Sequence, residues 1–263
     1  MFTNMKKSYL QNNKLLIMLA LFLYVIMASF LVYLLEPPYY LAICIVLGVP
    51  SLFNFLLLKK GKTKILIFSL VTTFLFALPI ELMARMADAW DVASMFVRPF
   101  GLIPLENMLF AFLNFFWILS FYEFFLDTQK EKLGINKRFK ILVLIYLFLS
   151  IIVYGLFFYN PEIIKTDYHI IALIFLVPIL IILGFKTPKL IKKTLIPTAF
   201  FALIFFVYEL VSLLIGHWWW PGYYLWPIFI SGIIFPVDDI VIWYLLSTPA
   251  LILGYEFFAD DNK

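Results

Sequence analysis

Charge is what this chain has least of. Only 14% of its 263 residues are Asp, Glu, Lys or Arg, against 65% hydrophobic and 20% aromatic. A water-soluble chain carries roughly 25% charged residues, so this one has too few to cover a soluble surface. A secreted soluble enzyme, a disordered protein and a nucleic-acid-binding domain are excluded. The formal charge of +4 is therefore a topology signal to be read loop by loop. The one cysteine, Cys44, lies in an apolar run; it forms no internal disulfide and reads as a packing residue. No GxGxxG or GxxxxGK(S/T) phosphate loop is present, and no Cys/His metal spacing. His169 and His217 belong to different connections. Neither a cofactor nor a metal is expected.

What the chain has instead is long apolar runs. A spanning helix needs ~20 apolar residues, and eight are expected: about Leu15–Leu35, Leu41–Leu58, Ile65–Ala84, Leu105–Leu126, Ile141–Tyr159, His169–Gly184, Leu195–Ile215 and Val237–Phe258. The first run follows Lys6, Lys7 and Lys14 but is too long for a signal-peptide core and lacks a small-x-small cleavage site, so it reads as a retained helix. The connections alternate in charge. One set holds Lys59, Lys60, Lys62 and Lys64, then Lys130, Lys132, Lys137, Arg138 and Lys140, then Lys186, Lys189, Lys192 and Lys193. The other set comprises Glu36-Pro37-Pro38, the 85–103 stretch, 160–168 and 216–236. Basic loops mark the cytoplasmic side, so a multi-pass protein of the cell membrane with both termini cytoplasmic is predicted. Tyr39, Tyr40, Trp90, Trp218, Trp219, Trp220, Tyr223 and Tyr224 would form an aromatic belt at the outer interface.

The chain also repeats itself. Pro50, Glu81 and Trp90 match Pro178, Glu209 and Trp218 at an offset of 128. Ile103-Pro104-Leu105-Glu106-Asn107 matches Phe235-Pro236-Val237-Asp238-Asp239 at 132, and Tyr122-Glu123-Phe124-Phe125 with Asp127 matches Tyr255-Glu256-Phe257-Phe258 with Asp260 at 133. The expected fold is an all-α polytopic bundle of two tandem four-helix halves, 1–135 and 136–263. An even number of helices per half makes them parallel repeats.

Carboxylates at membrane depth are costly and suggest function. Glu81 and Glu209 lie near the outer ends of helices three and seven, and Glu106 and the Asp238–Asp239 pair open helices four and eight on the same side. All five are expected around one cavity. Arg85, four residues after Glu81, shares its helix face and is placed to pair with it. Asp88, Asp91 and Arg98 add charge to the first half alone; Leu213, Gly216 and Trp219 occupy the matching positions. A Pro followed two residues later by an acid is also an ordinary helix start. The two Tyr-Glu-Phe-Phe motifs, with Asp127 and Asp260, read as interfacial anchors, and His217 as an interfacial polar residue. A buried carboxyl can serve as a general acid, and aromatic faces stabilise a developing cation by ~2 kcal/mol or more when desolvated. Acids in an aromatic cage suit an alkene that becomes a carbocation.

These elements resemble the integral-membrane lycopene cyclase domain family. Pro104-Leu105-Glu106-Asn107-Met108-Leu109-Phe110 and Pro236-Val237-Asp238-Asp239-Ile240 match its Pro-(Ile/Leu)-Glu-(Glu/Asp) element, and Glu209 through Gly216-His217-Trp218 resembles its upstream acid with Gly-x-Trp. Asn107 replaces the second acid of the element, and Asp238 stands where Glu is usual. The resemblance implies a fusion of two small subunits that converts linear lycopene end groups to β-rings by acid–base chemistry without redox. It implies catalytic roles for Glu81, Glu106, Glu209, Asp238 and Asp239, and substrate contacts from Trp90, Trp218, Phe110 and Arg85. Its partners would be a hydrophobic terpenoid or carotenoid substrate and the lipid bilayer. Paired acids place the proton donor in the second half. The same pattern fits two other classes: a small proton-coupled transporter, and a non-catalytic lipid- or carotenoid-binding membrane protein.

Overall fold

The computed structural model describes residues 2–127 and 135–260, with side chains from residue 13 onward except at 168. Lys130 and Lys132 of the second basic connection lie outside the described residues. Among the described residues the chain folds into a mostly helical bundle with eight helices long and apolar enough to cross a membrane. They are α1 (Asn13–Leu35), α2 (Tyr39–Leu57), α3 (Lys62–Met86), α4 (Leu105–Phe125), α5 (Phe139–Tyr159), α6 (His169–Lys186), α7 (Pro188–Leu214) and α8 (Val237–Phe258). The expected boundaries agree to within a few residues except at α7, which starts seven residues before Leu195. Pro188 supplies a preformed first turn, and the lysine stems of Lys189, Lys192 and Lys193 continue the helix beyond its apolar stretch.

Prolines shape the interior. Pro50, Pro79 and Pro249 each follow a π-helical stretch, at 44–48, 73–77 and 240–246. A proline inside a helix removes one hydrogen bond and its ring collides with the carbonyl four residues back; widening the preceding turn relieves both. At Pro178 the helix breaks at Leu176 instead. Four short strands were absent from the expected all-α reading. β1 (Asp91–Val92) pairs antiparallel with β2 (Trp218–Trp219), and β3 (Pro227–Ile230) with β4 (Ile233–Pro236).

α3, α4 and α8 sit centrally: 56%, 56% and 61% of their apolar windows are buried, against 22% for α5 and 28% for α1. Glu81, Glu106, Asp238 and Asp239 ride on these central helices, and Glu209 on α7. Exposed leucine, isoleucine and phenylalanine side chains cover α1, α5 and α6, the surface a bilayer solvates. Cys44, expected to pack, is exposed in α2.

The two sets of connections lie at opposite ends. At the tryptophan-rich end, His217 Nε2 meets the Pro37 carbonyl at 2.8 Å, Ala93 N–H donates to the His217 carbonyl, and Phe100 packs on Phe157 and Phe158. At the lysine-rich end, Lys64 pairs with Asp260 at 2.6 Å, Lys193 with Asp127 at 3.7 Å, and Lys14 donates to the Phe124 carbonyl. The Tyr-Glu-Phe-Phe motifs are not interfacial anchors. Tyr122, Glu123, Tyr255 and Glu256 are all buried, because α4 and α8 cross there and turn these faces on one another. Tyr122 donates to Glu256, and Tyr255 donates to Glu123 at 2.5 Å.

Removing either phenol takes away a buried hydrogen bond to a carboxylate, a loss of about 1–3 kcal/mol. Tyr122→Phe and Tyr255→Phe should each lower the apparent melting temperature of the detergent-solubilised protein, by similar amounts. Melting unchanged in both would remove this crossing as a support of the fold.

Candidate functional site

The site is built where α3, α4, α7 and α8 meet near the tryptophan-rich end. On α4, Asn107, Phe110, Ala111, Asn114 and Phe115 recur at the spacing of one helix face and all line a cavity of about 140 Å³. α3 supplies Ile80 and Glu81, α7 supplies Phe205, Tyr208 and Glu209, and α8 supplies Asp239, Trp243 and Tyr244. The loops add Trp90, Val92, Trp218 and Trp220, and α2 adds Tyr39.

Two polar pairs face this space. Asn107 Nδ2 donates to Glu81 Oε1 at 2.9 Å, Trp90 Nε1 donates to Glu81 Oε2 at 3.0 Å, and the Tyr39 hydroxyl donates to Asn107 Oδ1 at 3.1 Å. In the same lining, the carboxyls of Asp239 and Glu209 lie side by side, and the indoles of Trp218 and Trp220 lie against Glu209. Glu81, Glu209 and Asp239 are each no more than 5% exposed. The cage around them is edge-on: Trp90 to Trp220 (6.2 Å) and Trp243 (6.1 Å), and Trp218 to Tyr39 (5.5 Å), Tyr208 (5.5 Å) and Phe110 (6.0 Å).

Glu81, Glu209, Asp239, Trp90, Trp218 and Phe110 thus meet as expected. Glu106 and Asp238 do not line the cavity. Neighbours on a helix point about 100° apart, so of each adjacent pair, 106–107 and 238–239, one member faces in and the other turns to the loops. Glu106 accepts from Ser94 Oγ (2.7 Å) and from the amides of Met95 (2.6 Å) and Phe96 (3.0 Å). Asp238 accepts from the amides of Leu225 (3.3 Å) and Trp226 (2.9 Å). Arg85 also lies outside the lining: it reaches past Glu81 to Asp91 at 2.7 Å and to the Trp90 carbonyl. Burial pushes the Asp91 carboxyl up, but Arg85 and the Val92 amide together hold it below the usual carboxylate value. The tryptophans are less belt than wall. Tyr39, Trp90, Trp218 and Trp220 turn inward, and Tyr224 is buried with its hydroxyl donating to the Ala89 carbonyl. Trp219 and Tyr223 are exposed as a belt would be.

Asn107 had a usable sequence signal, since it matches Asp239 at the offset of 132. Tyr39, Asn114, Tyr208 and Trp243 carried none. At the lysine-rich end, carboxylate oxygens of Glu123, Asp127 and Asp260 lie within 4.8 Å of one another. Cations are already supplied there by Lys64 and Lys193, so the group reads as a paired ionic cluster. No family model, curated protein or solved structure matches this chain.

The roof of the site depends on close backbone approach. A Cβ at Gly222 would meet the Asp88 carbonyl oxygen at 2.9 Å and Ala89 Cα at 3.1 Å. Gly222→Ala should therefore part the two loops and raise proteolysis within 216–236, measured by limited digestion in detergent. His217, buried between them, has its pKa lowered by burial, the Pro37 carbonyl contact pushing the other way. The neutral ring is the folded form, so stability falls as pH drops through about 6.5 toward the lowered value. The parent should lose more melting temperature between pH 7 and pH 5 than His217→Gln, and equal losses would exclude His217 as a source.

Proposed function

We propose that this protein is a membrane carotenoid cyclase, converting linear lycopene end groups to β-rings by proton transfer without net redox. The observation that carries the reading is a cavity between spanning helices lined by an acid–amide pair, Glu81–Asn107, and a pair of adjacent acids, Glu209–Asp239, inside a cage of Trp90, Trp218, Trp220 and Trp243. An apolar cavity of about 150 Å³ holds benzene. The 140 Å³ here is of that size, room for the closing six-membered ring, with the rest of the polyene extending beyond it.

The chemistry follows from the two pairs. Two adjacent carboxyls in an apolar site resist ionising together and hold a proton between them, so Glu209–Asp239 is the donor pair. It protonates the terminal double bond, the neighbouring double bond attacks the resulting cation, and the ring closes. The indole faces stabilise the cation. Glu81, held by amide and indole donors rather than by an adjacent acid, takes the proton lost in forming the ring double bond. One proton enters and one leaves, so the change is an isomerisation.

The reading includes a tandem origin, with halves 1–135 and 136–263 and a local two-fold axis between them. Supporting it, Asp91 pairs with Trp219, its own mate at the offset of 128. Tyr122–Glu256 and Tyr255–Glu123 are mates exchanged at the offset of 133. A two-fold relation requires such reciprocity: if one residue touches a second residue's copy, the second touches the first's copy. The lysine-rich end is then cytoplasmic, with both termini there, and the membrane is the cell membrane.

In a lycopene-producing host the parent should form β-ring pigment. Asp239→Asn and Glu209→Gln, expressed at parental level, should leave lycopene unconverted, since general acid catalysis contributes about 10²–10⁴ in rate. Asp238→Asn keeps an acceptor for the Leu225 and Trp226 amides and should retain ring formation. β-Carotene from Asp239→Asn at the parental yield would refute the donor assignment, and a parent that leaves lycopene untouched would refute the cyclase.

A further inference from the structure

Two loops at the tryptophan-rich end are apolar in a way that water does not explain. From Leu210 to Val237 the sequence has no Asp, Glu, Lys or Arg, although this stretch includes the whole connection between α7 and α8. Tyr223, Trp226 and Phe229 in it are 69%, 58% and 76% exposed, and Met95 and Val97 of the other loop are 67% and 83% exposed. Such side chains facing water would be unfavourable in proportion to their area. Trp and Tyr collect where the bilayer meets water; the 216–236 loop joins the tips of α7 and α8, and the 93–104 loop ends at the tip of α4.

Lipid demands more than apolar side chains. It offers no hydrogen bonds, so irregular backbone entering it must be satisfied within the protein. Both loops meet part of this demand within the protein, and the headgroup boundary supplies the rest. β3 and β4 pair from Pro227↔Pro236 to Ile230↔Ile233 around a two-residue turn, Ser231–Gly232, with φ of 49° and 86°, the left-handed pair that a tight hairpin needs. The prolines at its base have no N–H to leave bare. Four further amides are taken by acids: Glu106 binds those of Met95 and Phe96, and Asp238 binds those of Leu225 and Trp226. Each carboxylate satisfies the backbone of the very residues whose side chains are exposed and apolar.

We propose that loops 93–104 and 216–236 lie in the membrane leaflet at the tryptophan-rich end, with Glu106 and Asp238 as the clamps that make their backbones tolerant of lipid. The partner surface is the acyl–headgroup boundary of the bilayer. This assignment is independent of the cyclase reading, and its test uses no pigment.

The test places nitroxides at Val97→Cys and Phe229→Cys in the full chain, on a Cys44→Ser background, in phosphatidylcholine vesicles. References are Leu147→Cys, on an exposed face of α5, and Lys59→Cys, in a basic connection. Relaxation by dissolved oxygen is compared with relaxation by a water-soluble nickel chelate. Both loop labels should show the oxygen-dominated ratio of Leu147. A chelate-dominated ratio like that of Lys59 would overturn the proposal. So would exclusion of both reagents, which would mean a protein partner or a second copy covers the loops. Asp238→Ala should move the Phe229→Cys label toward the Lys59 ratio, leaving Val97→Cys and Leu147→Cys unchanged as a control on folding, while Asp238→Asn should not. A Phe229→Cys label that stays in lipid in Asp238→Ala would remove the clamp.

Discussion

A carboxyl group at membrane depth has to be given a partner by the protein, because lipid gives it none. Most of the polar architecture here answers that demand. Glu81 has Asn107 and Trp90, Glu209 has Asp239, Glu106 and Asp238 have loop amides, and Glu123 and Glu256 have tyrosines. Every one of these partners comes from a different element than the acid it serves, except within the short reach from α3 to Trp90. The acids therefore dictate which helices must touch. α4 and α8 are central because each carries acids at both of its ends.

The same demand separates the acids by task. Those that meet loop amides shape the loops, and Glu81, Glu209 and Asp239, which meet side chains, line the cavity. One turn of helix start, Pro-x-acid followed by Asn or Asp, supplies a loop-facing acid and a cavity-facing polar residue in consecutive positions.

Much of this was legible in the sequence. Eight spans, the sidedness of the lysines and the meeting of Glu81, Glu209 and Asp239 with Trp90, Trp218 and Phe110 follow from hydropathy and from residue matches at 128 and 132. The misassignments have geometric causes. Glu106 and Asp238 open their helices on the same side as Glu81 and Glu209, but a helix turns consecutive residues about 100° apart, so only 107 and 239 face the cavity. Arg85 was matched to Glu81 by the four-residue rule, but the turn after α3 brings Asp91 back within 2.7 Å. The Tyr-Glu-Phe-Phe motifs looked interfacial because they end helices; only the α4–α8 crossing buries them. The strand pairing of 91–92 with 218–219 joins segments far apart in the chain, where local pattern carries no information.

The contacts between the first four helices and the last four have a mechanical consequence. They are fastened at the lysine-rich end by tyrosine–carboxylate and lysine–aspartate pairs, and at the tryptophan-rich end by the β1–β2 ribbon. Carriers that work by rocking two bundles need a seam that opens at one end while it closes at the other. A seam fastened at both ends resists such rocking, and parting the halves at either end means breaking buried polar pairs there.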